Sequence, residues 1–153
     1  MIKILFVCHG NICRSPMAAC VLQDMVDKAG RAEEFLVDSA ATSREELGNP
    51  IYPPAVRKLK AEGVSLSSHR AIQMTRADYQ KYDLLLGADS ANIRNMARIA
   101  GGDPEGKIHR LLDYSERPRD IADPWYTGNF DVTFDDIVEG CRALLASLDR
   151  DRQ

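Results

Sequence analysis

Apolar residues in this chain form short continuous runs that alternate with longer segments of helical spacing. Residues 2–7 are an almost uninterrupted apolar run, which is typical of a strand buried on both faces of a parallel sheet. Similar runs begin at Phe35 and cover residues 82–86 and 107–112. The pattern therefore predicts about four strands.

Between these runs, apolar residues recur at the spacing of an amphipathic helix. The segments are residues 16–29, 55–61, 90–100 and 134–148. Strands that alternate with helices predict right-handed crossovers and an α/β fold, in which helices flank both faces of an open parallel sheet.

Two segments rich in polar residues, proline and glycine, 43–54 and 113–130, are predicted to be long loops. A chain of 153 residues is long enough to bury a real core. It has no visible repeat and no sign of a second domain, so we expect a single domain over residues 1–153.

The composition limits the classes of function. A net charge of -3 gives no general attraction for nucleic acid or an anionic membrane, so an anionic substrate must be attracted by a local site. No apolar run reaches the length of a membrane span, and residues 1–7 lack the features of a signal peptide. We therefore expect a cytoplasmic protein that binds neither nucleic acid nor membranes.

The chain has four cysteines: Cys8, Cys13, Cys20 and Cys141. They form no Cys-x-x-Cys pair and no cluster with histidine at zinc spacing, and a chain of this size and composition needs no disulfides. Cys20 and Cys141 fall on apolar helix stripes and are predicted to be core residues. We expect no metal and no cofactor.

Cys8 follows the first predicted strand, at the edge where open parallel sheets bind their ligands. It opens the sequence Cys8-His9-Gly10-Asn11-Ile12-Cys13-Arg14-Ser15. If a helix begins near Ser15, the backbone N–H groups of this loop can form an anion-binding nest, and the helix N-terminus adds its partial positive charge.

Individual residues of the loop suit that role. Gly10 allows a close approach of the anion or a positive φ, and Asn11 tolerates a left-handed conformation. Arg14 can clamp two phosphate oxygens. A Cys8 thiol in this field should lose its proton easily, and Ser15 can either donate to the thiolate or cap the helix. The loop alone thus predicts an anion site with a reactive thiolate, which a phosphatase, a reductase or a redox sensor could share.

This octet resembles the phosphate-binding loop of the low-molecular-weight protein tyrosine phosphatases. Further matching segments follow in the same order: Asp38-Ser39-Ala40-Ala41-Thr42, Gly48-Asn49-Pro50, Ser68-His69-Arg70-Ala71 and Asp123-Pro124-Trp125-Tyr126-Thr127-Gly128. The resemblance runs from Lys3 to about Leu148. It implies hydrolysis of phosphotyrosine in a protein or peptide, through a phosphocysteine, with inorganic phosphate as a product.

The resemblance also implies roles for individual residues. Cys8 matches the nucleophile, Arg14 the residue that steadies the transferring phosphoryl group, and Asp123 the general acid that then acts as base toward water. Cys13 matches a second loop cysteine that can trap an oxidised Cys8 as a disulfide, so redox regulation is expected.

Several matched residues have supporting roles. Ser39 and His69 match residues that hydrogen-bond the loop asparagine, here Asn11. Asp89 matches a carboxylate that orients the loop arginine, although a helix N-cap before Ser90 is nearly as good an interpretation.

Trp125 and Tyr126 match aromatic residues that flank the substrate ring. In some relatives these positions are phosphorylated, which only Tyr126 allows here. The sequence leaves open whether the chain is a monomer or a weak dimer.

Two positions at the expected rim depart from many relatives. Arg44-Glu45-Glu46 stands where those proteins carry a large or aromatic residue. The paired carboxylates should repel acidic phosphopeptides, with a partial offset from Arg44. His9 occupies a variable position at the pocket entrance, where it can contact substrate or tune its pH response.

Three alternatives remain. An arsenate reductase on the same scaffold would need further cysteines, and residues 76–103 contain none. Protein-arginine phosphatases resemble this chain but carry threonine where Ile12 stands, so Ile12 favours phosphotyrosine. A non-catalytic redox or phosphate-binding module needs no proton donor, and Asp123 argues against it.

Overall fold

Four parallel strands form one sheet in the computed structural model, which describes residues 1–151. The strands are β1 (Ile2–Cys8), β2 (Phe35–Ala41), β3 (Leu84–Gly87) and β4 (Ile108–Arg110), in the spatial order β2-β1-β3-β4. All three neighbouring pairs are parallel. The predicted open parallel α/β sheet is confirmed.

Six helices and two short 3-10 turns connect and flank the strands. The helices are α1 (Arg14–Lys28), α2 (Pro53–Ala61), α3 (Arg76–Lys81), α4 (Ser90–Ala100), α5 (Pro124–Thr127) and α6 (Phe130–Asp151), and the 3-10 turns cover Ala32–Glu34 and Leu111–Tyr114. No helix in the described part of the chain is both long and apolar enough to span a bilayer.

Helices cover both faces of the sheet because side chains of β1 alternate between two buried clusters. Ile4, Phe6 and Cys8 point into a cluster that α1 and α6 complete. Leu5 and Val7 point into the cluster on the other face, which α3 and α4 complete. Every one of these side chains is almost fully buried, and each apolar side chain contributes about 1.5–3 kcal/mol through burial.

Two predicted strands are shorter in the structure. The strand predicted over residues 82–86 begins only at Leu84, because Tyr82 is a buried ring whose hydroxyl donates to the Asp38 carboxylate over 2.6 Å. The strand predicted over residues 107–112 ends at Arg110, whose backbone N–H donates to Asp113 and starts a 3-10 turn.

Two predicted loops contain helical turns, and one helix was missed. Pro53 begins α2, since proline suits the first turn of a helix. Asp123 caps the short helix α5 inside the second loop. Helix α3 has only six residues, too few for a visible period, but Thr75 and Asp78 form the capping box that starts it.

The close approach of α6 to the second 3-10 turn gives a stability prediction. A Cβ on Gly140 would lie 2.5 Å from Cγ of the buried Leu111. Alanine in a helix gains about 1 kcal/mol over glycine, but overpacking a rigid core costs about 1–3 kcal/mol. We expect Gly140→Ala to lower the urea midpoint, and the same change in a Leu111→Ala background to raise it. A rise in both backgrounds would contradict the predicted clash.

Candidate active site

Ser15, in the first turn of α1, makes two contacts with the sulfur of Cys8. The Ser15 hydroxyl lies 3.0 Å from Cys8 Sγ, and the Ser15 backbone N–H donates to the same sulfur over 3.4 Å. Helix α1 begins at Arg14, so Ser15 lies inside the helix and is not its cap. Of its two predicted roles, the structure shows the contact with Cys8.

Asn11 has the most constrained backbone of the loop. Its φ of 60° is the only positive φ of a non-glycine residue within residues 1–151. The fully buried side chain donates to Ser15 Oγ over 2.8 Å and to Ser39 Oγ over 2.9 Å. Its Oδ1 accepts from the backbone N–H of Ile72 over 3.2 Å. These bonds hold a conformation that costs about 1–2 kcal/mol.

His69 completes the support of Asn11 from the other side. The Nε2 atom of His69 lies 2.7 Å from the Asn11 carbonyl oxygen, and a carbonyl only accepts, so Nε2 carries the hydrogen. Burial lowers the pKa of His69 below its usual value. The contacts that the sequence assigns to Ser39 and His69 are therefore both present.

Gly10 is needed for space and not for a positive φ. It is absent from the glycines with left-handed backbone. A Cβ at this position would lie 3.3 Å from Cγ of Glu46. The glycine therefore leaves room for Glu46 against the loop between β1 and α1, and the interpretation through a positive φ does not apply.

Arg14 is held on two sides. Its side chain is 4% exposed, and Nη1 donates to Asp89 Oδ2 over 2.7 Å and to the Ile121 carbonyl oxygen over 2.8 Å. Burial acts to lower the pKa of Arg14, but the neighbouring Cys8 and Asp89 raise it, so the guanidinium stays charged. Asp89 also accepts from Asn92 N through Oδ1 over 2.8 Å. It therefore has both roles that the sequence offered.

Asp123 lies close to the guanidinium of Arg14. Its Oδ2 lies 3.6 Å from Arg14 Nη2, and its Oδ1 accepts from the backbone N–H of Trp125 over 3.1 Å. The second contact caps α5 and fixes the direction of the carboxyl group. Residues that are far apart in sequence, Cys8, Arg14 and Asp123, thus meet at one cavity.

The cavity holds about 120 Å³. Its lining consists of Cys8, His9, Gly10, Ile12, Cys13, Arg14, Glu45, Glu46, Asp123, Trp125 and Tyr126. Trp125 is 51% and Tyr126 83% exposed, so both rings stand at the mouth. Arg44 is exposed and is not among these lining residues, so its place at the substrate rim stays a prediction.

Tyr52 is a structural residue of the site that the sequence interpretation missed. Its ring centroid lies 4.7 Å from that of Trp125 and 6.2 Å from that of Phe130. Its backbone N–H donates to the Ile12 carbonyl oxygen over 2.9 Å. The available signal for this role was an aromatic residue directly before Pro53-Pro54. The polar, proline-rich segment around it predicts only a loop.

The two loop cysteines differ in environment. Burial, followed by the nearby Cys8, raises the pKa of Cys13 to about 12, so Cys13 stays a thiol at neutral pH. All four cysteines are unpaired thiols in the described part of the chain. Residues 1–151 contain no group of three or more His, Cys, Asp or Glu side chains arranged to hold a metal ion.

The segment that leads to Asp123 is fixed by two ion-pair clusters. Arg119 bonds Asp136 over 2.7 Å and Glu139 over 2.9 Å, both on α6. Asp120 accepts from the backbone N–H of Ser90 over 2.9 Å and from Arg110 over 3.1 Å. These contacts attach both the carbonyl that orients Arg14 and the carboxyl group of Asp123 to the body of the fold.

Comparisons with known proteins agree with this geometry. Residues 3–153 match the family model described as low molecular weight phosphotyrosine protein phosphatase. A relative from Bacillus subtilis, "Low molecular weight protein-tyrosine-phosphatase YfkJ", is 39% identical over 155 residues, which cover 100% of this chain and 99% of that one.

Solved structures show the same likeness. The crystal structure of YfkJ superposes with a TM-score of 0.94 at 38% identity, covering 100% of this chain and 98% of that chain. The crystal structure of a Drosophila arginine phosphatase superposes with a TM-score of 0.88 at 27% identity, covering 96% of this chain and 98% of that chain.

The support of Asn11 predicts a graded response to substitution. Asn11→Ala loses three side-chain hydrogen bonds, each worth about 1 kcal/mol, and keeps the strained φ. Asn11→Gly loses the same bonds but relieves the strain. We expect urea unfolding to show that alanine destabilises by about 3 kcal/mol or more and glycine by about 1 kcal/mol less. Equal losses would contradict a role for φ.

The ion pairs of Arg119 predict a pH-dependent contribution to stability. Hydrogen bonding to Arg119 lowers the pKa of Glu139 to about 2, below its usual value of about 4.3. Stability from this carboxylate is therefore complete above about pH 4.3 and is lost as the pH falls toward 2. We expect Glu139→Gln to cost about 1 kcal/mol or less at pH 7, because the pair is partly exposed.

Urea unfolding of wild type and Glu139→Gln at pH 7, 4 and 3 measures this contribution. The gap between the two proteins should shrink as the pH falls. Glu33→Gln, an exposed carboxylate before β2, is the matched control and should show no gap at any pH. A gap for Glu139→Gln that is constant with pH would contradict the assignment to its charge.

Proposed function

Because the chain belongs to the low molecular weight phosphotyrosine protein phosphatase family, we propose that it hydrolyses phosphotyrosine with Cys8 as nucleophile, Arg14 as phosphate clamp and Asp123 as proton donor. The observation that carries this assignment is the convergence of these three side chains on one cavity. A binding or sensing module would need the first two but has no use for a carboxyl group opposite the thiol.

In the first proposed step, the Cys8 thiolate attacks phosphorus in line with the leaving oxygen. The S–P bond forms as the P–O bond of the tyrosine breaks. Asp123 gives its proton to the phenolate oxygen, so that tyrosine leaves as a neutral phenol. Arg14 and the N–H groups of the loop stabilise the charge on the three remaining phosphoryl oxygens.

In the second step, the same carboxylate takes a proton from water while the water oxygen attacks phosphorus. The S–P bond breaks, and inorganic phosphate leaves with Cys8 restored as a thiolate. The Ser15 hydroxyl, 3.0 Å from the sulfur, stabilises the thiolate both as nucleophile and as leaving group. No cofactor takes part in this proposal.

The lining of the cavity supports an aromatic phosphate ester as substrate. The rings of Trp125 and Tyr126 at the mouth can flank a phenyl ring. An arginine phosphatase is the second candidate, since one structural neighbour has that activity in its description. Ile12 lines the cavity here and offers no hydroxyl to a phosphoguanidine, which favours phosphotyrosine.

We further propose that Cys13 protects Cys8 from overoxidation. A peroxide would oxidise the Cys8 thiolate to a sulfenic acid, with hydroxide as the leaving group. The Cys13 sulfur would then form the S–S bond and release water. The nearness of the two groups supports this proposal, because Cys8 is close enough to Cys13 to raise its pKa.

The remaining proposals concern the protein as a whole. We propose that residues 1–153 form one phosphatase domain, supported by the family match over residues 3–153. We also propose a phosphoprotein as partner, a cytoplasmic location, where reducing conditions keep Cys8 a thiol, and a monomer or weak dimer.

Hydrolysis of aryl phosphates tests the three catalytic assignments. Cys8→Ser should abolish turnover, because an alcohol in this site is a far weaker nucleophile. Asp123→Asn should lower kcat about 100-fold or more on phenyl phosphate. The loss should be smaller on p-nitrophenyl phosphate, whose leaving group needs less protonation.

Glu33→Gln, which lies at the opposite end of the sheet, is the control and should match wild type. Equal activity of wild type, Cys8→Ser and Asp123→Asn would overturn the mechanism. Faster release of phosphate from phosphoarginine than from phosphotyrosine would replace the substrate assignment and leave the catalytic residues in place.

A further inference from the structure

We propose that the acidic rim formed by Glu45 and Glu46 selects phosphotyrosine sites flanked by lysine or arginine. This inference rests on the proposed function, since it names the class of peptide that the same cavity accepts. It makes the two glutamates specificity-determining residues, with no part in the chemical steps.

Glu45 presents an almost fully accessible charge at the mouth. Its side chain is 70% exposed, and Oε2 lies 2.9 Å from Nε2 of the half-exposed His9. The contact joins two side chains that both line the cavity. The imidazole then orients the carboxylate over the cavity that both residues line.

Glu46 is held more firmly. Its Oε2 accepts from Asn49 Nδ2 over 2.6 Å, and its stem packs against Gly10, where a Cβ would lie 3.3 Å away. The second carboxylate is therefore fixed beside the phosphate-binding loop. These internal contacts fix the position of the Glu46 carboxylate along the mouth. They do not neutralise its charge, because the Asn49 amide is neutral.

Backbone hydrogen bonds keep the rim segment in place. Ser43 N–H donates to the His9 carbonyl oxygen over 3.0 Å, and Gly48 N–H donates to that of Ala71 over 2.8 Å. Both ends of the segment are attached to ordered parts of the site. The backbone that carries the two carboxylates is therefore already ordered before a peptide binds, which lowers the entropy cost of binding.

The positive charge of the cavity lies at its bottom and the negative charges lie above it. Arg14 is buried at the bottom, where it faces Asp89 and the proposed phosphate position. Above it, the lining has three carboxylates, those of Glu45, Glu46 and Asp123. Asp123 has its own role as proton donor, so the two glutamates are the charges left for the peptide.

Arg44 is not part of the cavity lining. Although it precedes the glutamates in sequence, it is exposed and outside the cavity lining. The lining itself has no arginine or lysine besides the buried Arg14. The dianionic phosphate is attracted at the bottom, while residues beside the phosphotyrosine meet negative charge, which favours cationic and disfavours anionic neighbours.

Two phosphotyrosine peptides of equal length, one with lysines and one with glutamates on both sides, test the proposal. We expect the lysine peptide to have a kcat/KM about tenfold higher at low salt, since two exposed ion pairs contribute about threefold each. The ratio should fall toward one at high salt, where such pairs are screened.

The double variant Glu45→Gln/Glu46→Gln should reduce the ratio to about twofold or less, because glutamine keeps the size and the hydrogen bonds but not the charge. Glu45→Lys should lower it further or reverse it. Glu33→Gln, remote from the cavity, should keep the wild-type ratio. Equal kcat/KM for the two peptides in wild type would overturn the proposal, as would an unchanged ratio in the double variant.

Binding to Cys8→Ser separates this proposal from the proposed function. The variant keeps the rim but cannot turn over, so the dissociation constants of the two peptides report the rim alone. Tighter binding of the lysine peptide without turnover by wild type would retain the rim preference and reject the phosphatase mechanism. Turnover by wild type without any preference between the peptides would retain the phosphatase mechanism and reject the rim preference.

Discussion

The site depends on one strained residue, Asn11, whose left-handed backbone shapes the loop between β1 and α1 at the edge of the cavity. Such a conformation persists only where the surroundings enforce it. Here the enforcement comes from Ser39 on β2, Ser15 on α1 and His69 in a distant loop. Three separate parts of the chain must therefore fold before the nest exists, so the shape of the loop is a product of the whole fold and not of its own sequence.

The same dependence extends to the charges. Arg14 points into the cavity because Asp89 and the Ile121 carbonyl hold its other edge, and Ile121 in turn donates its N–H to the Ala88 carbonyl oxygen over 2.9 Å. Asp89 caps α4 with its second oxygen. The two groups that bond the buried Arg14 guanidinium thus each belong to a residue that makes a further hydrogen bond to the fold. These bonds keep the guanidinium in place when no substrate is bound.

The sequence predicted what is periodic or local and missed what depends on packing. The four strands, α1 and α4 follow from apolar patterns, and the contacts of Ser39, His69 and Asp89 follow from matched motifs. Helix α3 has too few residues for a period, and the side of Tyr52 that meets Trp125 depends on how a loop returns to the site. Arg44 is a similar case: the sequence groups it with Glu45 and Glu46, but only the two glutamates are among the residues that line the cavity.

Cys8 and Cys13 show how hydrogen-bonding groups give two buried thiols different surroundings. Both are almost fully buried, so accessibility alone does not distinguish them. Cys8 has the hydroxyl and the N–H of Ser15 directed at its sulfur, whereas Cys13 packs in an apolar cluster with Ile12 and Ala71. Desolvation without a compensating donor keeps a thiol protonated. A thiolate at Cys8 would raise the pKa of Cys13 further through repulsion. A proton lost from one sulfur therefore favours retention of the proton on the other.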